Sequence, residues 1–126
     1  MSGFASGSLL AQVRPGVTTA VEAFAATLRT EVMRIVVCNT TGSAANFSLF
    51  HDDAGGSTFD QTTALHYVQS VPANSTIEIV ADAIGGGIML NIDGQIGVQS
   101  GTASALTYSI YGVTANIATP LRQSRA

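Results

Sequence analysis

Glu31-Val32-Met33-Arg34-Ile35-Val36-Val37-Cys38-Asn39-Thr40-Thr41 is the densest β-forming run in the chain, and it ends in an abrupt turn signal. Valine, isoleucine and a small thiol fit a pleated, packed surface, and Asn39-Thr40-Thr41-Gly42 tolerates turn geometry. This run is the expected central strand. Simple alternation puts Val32, Arg34, Val36 and Cys38 on one side and Glu31, Met33, Ile35 and Val37 on the other. Both sides are apolar toward the end, so the strand is expected to be covered on two faces. The covers would be an opposite sheet and either segment 17–29 or a neighbouring subunit.

Upstream, Leu9 to Val13 reads as a short strand stopped by Arg14-Pro15-Gly16. Segment 17–29 is two-sided. Val17, Val21, Phe24, Leu28, Val32 and Ile35 recur at helical spacings, and Thr19 with Glu22 makes a capping-box pattern. A helix there would run into the β-branched Ile35-Val36-Val37 with no turn between, so the strand reading is favoured.

Downstream, Asn46 to His51 alternates as a strand with Phe47 and Leu49 on one face, and Ser43-Ala44-Ala45 is the expected hairpin link to the central strand. Asp52-Asp53-Ala54-Gly55-Gly56-Ser57 is a run of turn formers, extended through Thr63. Ala64 to Val71 and Thr76 to Val80 are read as a second hairpin around Pro72-Ala73-Asn74. Gly85-Gly86-Gly87 breaks the chain before a strand at Ile88 to Ile92, and Asp93-Gly94 turns it into Gln95 to Gln99. Ala105 to Tyr111 alternates with Leu106, Tyr108 and Ile110 on one face, and Gly112 closes it. Seven or eight short strands with turns every eight to twelve residues define an all-β chain, an antiparallel β-sandwich or jelly-roll-like domain.

The 126 residues suit one domain, 1–126, with 46% hydrophobic positions to fill its core. Residues 1–12 read as an N-terminal arm and 113–126 as a C-terminal arm. Charged residues are only 10% of the chain, against about 25% in ordinary globular proteins, and none is a lysine. A net charge of −3 argues against nucleic acid as a partner. Low charge instead favours a chain buried among other subunits, because few ions must be desolvated. Apolar runs are too short to span a bilayer, so no membrane partner is expected, and the start lacks the pattern of a secretory signal.

Catalysis has no support in these residues. His51, Asp52, Asp53, Asp60 and His66 form the only polar cluster that could carry chemistry, and their spacing matches no calcium or zinc pattern, so they read as solvated turn residues. Gly85-Gly86-Gly87 lacks the Lys and helix of a phosphate cradle. Cys38 reads as a small core residue rather than a nucleophile, and Ser109 sits in no nucleophile elbow. The expected catalytic, cofactor-binding and metal residues are therefore none.

Arg29-Thr30-Glu31-Val32, Arg34 to Thr40, Phe47-Ser48-Leu49-Phe50-His51-Asp52-Asp53, Val71-Pro72-Ala73-Asn74-Ser75-Thr76 and Ala105 to Gly112 together resemble a group of small tailed-bacteriophage virion proteins with β-sandwich domains. The resemblance spans about residues 29–112. A Pro-Ala-Asn turn that the group often carries before the central strand is absent, and Phe24-Ala25-Ala26-Thr27 stands in its place. The resemblance implies a non-enzymatic capsid decoration, or cement, protein. It would be made in the host cytoplasm and seated on the virion's outer capsid surface as a homotrimer bridging major capsid protein subunits, with both arms laid over neighbours. The alternatives are a tail, baseplate or head-fibre component and a carbohydrate- or receptor-binding module. For the latter, the Asp52 to Asp60 loop would be the calcium-dependent site.

Overall fold

The structure is a computed structural model that describes residues 8–80 and 87–115. Those residues form nine strands and no helix: β1 (Ser8–Val13), β2 (Val21–Ala25), β3 (Thr30–Asn39), β4 (Ala45–Asp52), β5 (Ala64–Val71), β6 (Thr76–Val80), β7 (Ile88–Leu90), β8 (Gln95–Ser100) and β9 (Leu106–Thr114). All pairings are antiparallel. A five-stranded sheet runs β1-β9-β3-β6, with β7 end to end with β6 along the same side of β3. A four-stranded sheet runs β2-β8-β4-β5. The all-β sandwich expectation holds. The ninth strand is β2, which resolves segment 17–29 as strand: Glu22 caps no helix and instead accepts from Gln95 Nε2 at 2.6 Å.

Between the sheets lie Val32, Ile35 and Val37 of β3, Leu106, Tyr108 and Ile110 of β9, Phe47 and Leu49 of β4, and Ile96 and Val98 of β8, each at most 1% exposed. The alternation read for β4 and β9 is therefore correct. Tyr108 also ties the sheets together. Its ring meets Phe47 edge-on at 6.3 Å, and its hydroxyl lies 2.8 Å from Ser100 Oγ. Burial pushes its phenol up to about 12, because a phenolate would have to be desolvated there.

Several expectations need correction. The faces of β3 are not the simple alternation: Val32 shares the inner face with Ile35 and Val37, while Met33 and Arg34 are both exposed. A β-bulge causes this. The register to β9 jumps from Val32↔Gly112 to Arg34↔Tyr111, so Met33 is an extra residue that resets the period. Cys38 consequently lies on the outer face, half-buried between Thr107 and Thr76, and not in the core. Segment 17–29 supplies no second cover for β3, because its strand belongs to the opposite sheet.

Neither expected hairpin forms. The Ser43-Ala44-Ala45 link and the Pro72-Ala73-Asn74 turn both carry the chain from one sheet to the other, since β3 and β6 share one sheet and β4 and β5 the other. Asn39, 1% exposed, explains why these corners coexist. Its Nδ2 donates to the carbonyls of Ser43 at 2.8 Å and Val71 at 3.0 Å, and its Oδ1 accepts from the Thr41 amide at 2.9 Å. One amide side chain thus satisfies groups on both crossovers.

Parts of both expected arms are strand. Residues 8–12 are in β1, hydrogen-bonded to β9, and Val113 and Thr114 continue β9 opposite Glu31 and Thr30. Gly112 lies within that strand, not at its end. Any Cβ there would collide with the Glu31 carbonyl, so the close approach of β3 requires glycine. Residues 1–7 and 116–126, and Gly85 and Gly86 of the glycine run, lie outside the described residues.

Candidate functional site

The β4–β5 connection, residues 53–63, folds back over the outer face of the four-stranded sheet. Asp52 starts the fold-back: Oδ1 accepts from the Ala54 amide at 3.0 Å and Oδ2 from the Thr58 amide at 2.7 Å. Chiefly through the Thr58 amide, its carboxyl is held below the ordinary 3.8. Gln95 anchors the same loop from β8, accepting from the Ser57 amide at 2.7 Å and donating to Ser57 Oγ at 2.9 Å. Phe59 is thereby laid on the backbone of Gly97, where any Cβ would strike its ring, and its centroid is 6.1 Å from that of Phe50. Phe50 points to this outer face and is nevertheless fully buried.

The five candidate residues are thus dispersed into loop architecture. Asp53 accepts from the Asn91 amide at 2.9 Å and from its Nδ2 at 2.6 Å, which pins the loop to the chain after β7. The Asn91 amide is the largest cause of the lowered Asp53 carboxyl. His51 Nε2 stands 3.5 Å from Asp53 Oδ1, too long for a good hydrogen bond, and finds no other partner among the described residues. Asp60 accepts from the Thr62 amide and hydroxyl at 2.9 and 2.5 Å, and the hydroxyl above all lowers its carboxyl. His66 is elsewhere, its ring 6.1 Å from that of Phe47. Among the described residues no three His, Cys, Asp or Glu side chains converge in a metal-ligating group. Of the other candidates, Gly87 donates its amide to Glu31 Oε2 at 2.8 Å, and Ser109 accepts from Gln12 Nε2 at 2.8 Å on the outer face of the five-stranded sheet.

That second outer face is built differently. Across it the register aligns Val113, Glu31 and Met89 in one row, Leu9, Tyr111 and Arg34 in the next, and Gln12, Ser109, Val36 and Glu78 in a third. Leu9, Met33 and Met89 are 49%, 39% and 48% exposed, and Tyr111, Val113, Val36 and Cys38 are half-buried. At the end where β1 begins and β9 finishes, the face is thus rich in apolar side chains, with Glu31 and Arg34 set among them. Its one ion pair among the described residues, Arg34 with Glu78 at 2.5 Å, is solvated and adds little.

Sequence reasoning missed Phe59, Gln95 and Gly97 as a unit. Gly97 was the available signal, since a glycine inside a strand marks a close approach. No family model and no curated protein matches the chain.

Proposed function

We propose that the chain is a structural virion protein, a capsid decoration (cement) protein of a tailed phage that assembles as a trimer and bridges major capsid protein subunits from outside. Its role is mechanical rather than catalytic. The observation that carries this reading is the outer face of the five-stranded sheet, where Leu9, Met33 and Met89 lie exposed around half-buried Tyr111 and Val113, with Glu31 and Arg34 set among them. A patch of this kind on a chain with so few charges fits subunit packing, where apolar burial is gained with little ionic desolvation. The resemblance over residues 29–112 gives the packing its phage setting. The start of β1 and the finish of β9 meet at this end of the sheet, which adds support: Ser8 pairs with Gly112, and the Ala115 amide donates to the Arg29 carbonyl at 2.7 Å.

Copy number in purified particles, measured by quantitative mass spectrometry, tests the station. The cement reading expects copies on the scale of the capsid lattice, whereas a stoichiometry of one tail ring would move the protein to the tail or baseplate. Truncation tests the arm. Because Val113 and Thr114 belong to β9, the deletion must begin at residue 116. Loss of particle binding with an intact fold is expected, and unchanged occupancy would refute the arm's docking role.

A further inference from the structure

On the outer face of the four-stranded sheet, beside the covering loop, two grooves meet at one aromatic side chain. One, of about 190 Å³, is lined by Asn46, Ser48, Tyr67, Val68 and Gln99. The other, of about 410 Å³, is lined by Phe59, Asp60, Gln61, Tyr67 and Gln99. Tyr67 and Gln99 line both, so the grooves adjoin as one trough at Tyr67, a residue 47% exposed.

The backbone that presents Tyr67 is irregular. The register of β4 to β5 passes from Phe47↔Gln69 to Leu49↔His66, leaving Tyr67 and Val68 unpaired. Val68 has φ 52°, a left-handed conformation that a β-branched side chain adopts only under strain. No core packing compensates, since Val68 is 55% exposed. Its amide is instead held by Ser48 Oγ at 2.9 Å. Bulges of this kind re-aim side chains beside binding sites, and here the bulge aims Tyr67 into the trough.

We infer that this trough binds a neutral pyranose oligosaccharide, with the Tyr67 ring as the stacking platform and the amides of Asn46, Gln61 and Gln99 as partners for its hydroxyls. Among the described residues neither groove is lined by an Arg or a His, so no cationic side chain there favours an anion. Its single carboxylate, Asp60, already receives two hydrogen bonds from Thr62. Each amide offers both a donor and an acceptor, which matches a hydroxyl that also does both. Gln99 is fixed for the task, its Nε2 donating to the Thr18 carbonyl at 3.1 Å and leaving Oε1 to a ligand. Tyr67 supplies an apolar face with a polar tip. Because the outer faces of a sandwich point in opposite directions, the trough stays open when the five-stranded sheet is docked, and the inference does not depend on the assembly role.

The test titrates isotopically labelled protein, in EDTA, with maltohexaose, cellohexaose and chitohexaose while amide shifts are followed by NMR. At least one is expected to shift the amides of Asn46, Tyr67, Val68 and Gln99 saturably. Tyr67→Ala should weaken that binding about tenfold or more, with Tyr67→Phe close to the native chain and Gln99→Ala weakened as an independent check. Absence of shifts at those amides with all three sugars at millimolar concentration would overturn the inference. So would a Tyr67→Ala chain that binds as tightly as the native one.

Discussion

The outer faces of the two sheets solve the same problem in opposite ways. Behind the four-stranded sheet, Phe50 is fully buried because the chain's own loop brings Phe59 over it and over Gly97, fastened by Asp52, Asp53 and Gln95. Behind the five-stranded sheet, Leu9, Met33 and Met89 lie exposed beside half-buried Val36, Cys38, Tyr111 and Val113, with no comparable loop among the described residues. A sheet apolar on both sides needs two covers. The four-stranded sheet covers only the part of its outer face around Phe50, since Leu65, Tyr67 and Val68 of β5 stay exposed, and under the proposed assembly a neighbour would add the cover that the five-stranded sheet lacks.

The largest expected effect comes from breaking what the two faces share. Asn39→Ala strips partners from carbonyls on both crossovers and should cost about 3 kcal/mol in chemical denaturation. A loss below about 1 kcal/mol would mean that water replaces the side chain at the corners. Gly97→Ala acts on one face only. The new methyl displaces Phe59, and the chain should lose about 2 kcal/mol while residues 53–63 become more susceptible to limited proteolysis. Unchanged proteolysis would show that the loop, not the ring, holds the cover.

Acid should separate the faces without mutation. Asp52, Asp53 and Asp60 have folded carboxyls lowered from 3.8, so their stabilisation is present above that value and is lost as pH falls through the lowered ones. Below about pH 4, hydrogen exchange should show the Ala54 and Thr58 amides losing protection before the amides of β9. Simultaneous loss would contradict a locally fastened cover. The smallest effect on stability belongs to the open face. Met33→Gln and Met89→Gln together should change the stability of the isolated chain by no more than about 0.5 kcal/mol and yet weaken self-association in sedimentation. Unaltered association would remove that face from the interface.

How much of this was legible depended on the range of the interactions. Strand positions are local, and Leu106, Tyr108 and Ile110 announced their inner face by period alone. The faces of β3 were not legible, because Met33 is an inserted residue with no glycine or proline to mark it, and one insertion exchanges the sides of everything before it. Hairpins were wrongly inferred because turn formers show where a chain bends but not which sheet it enters. That choice is settled here by Asn39 reaching Val71, 32 positions away. The acidic loop reads as solvated turn chemistry, and Asp52 and Asp60 do accept from loop amides, but Asp52 is buried and Asp53 reaches out of the loop to Asn91. What the loop covers was hidden, since Phe59 and Gly97 meet only in the folded chain.

The most direct test of the proposed assembly face is oxidative footprinting of Met33 and Met89, with Tyr67 as the reference on the opposite face. Met33 and Met89 are 39% and 48% exposed, and solvated thioethers oxidise readily, so both should react in the isolated chain and be protected in the assembled particle, while Tyr67 keeps its reactivity in both. Protection of Tyr67 with continued oxidation of Met33 and Met89 would contradict the account, because it would place the interface on the outer face of the four-stranded sheet.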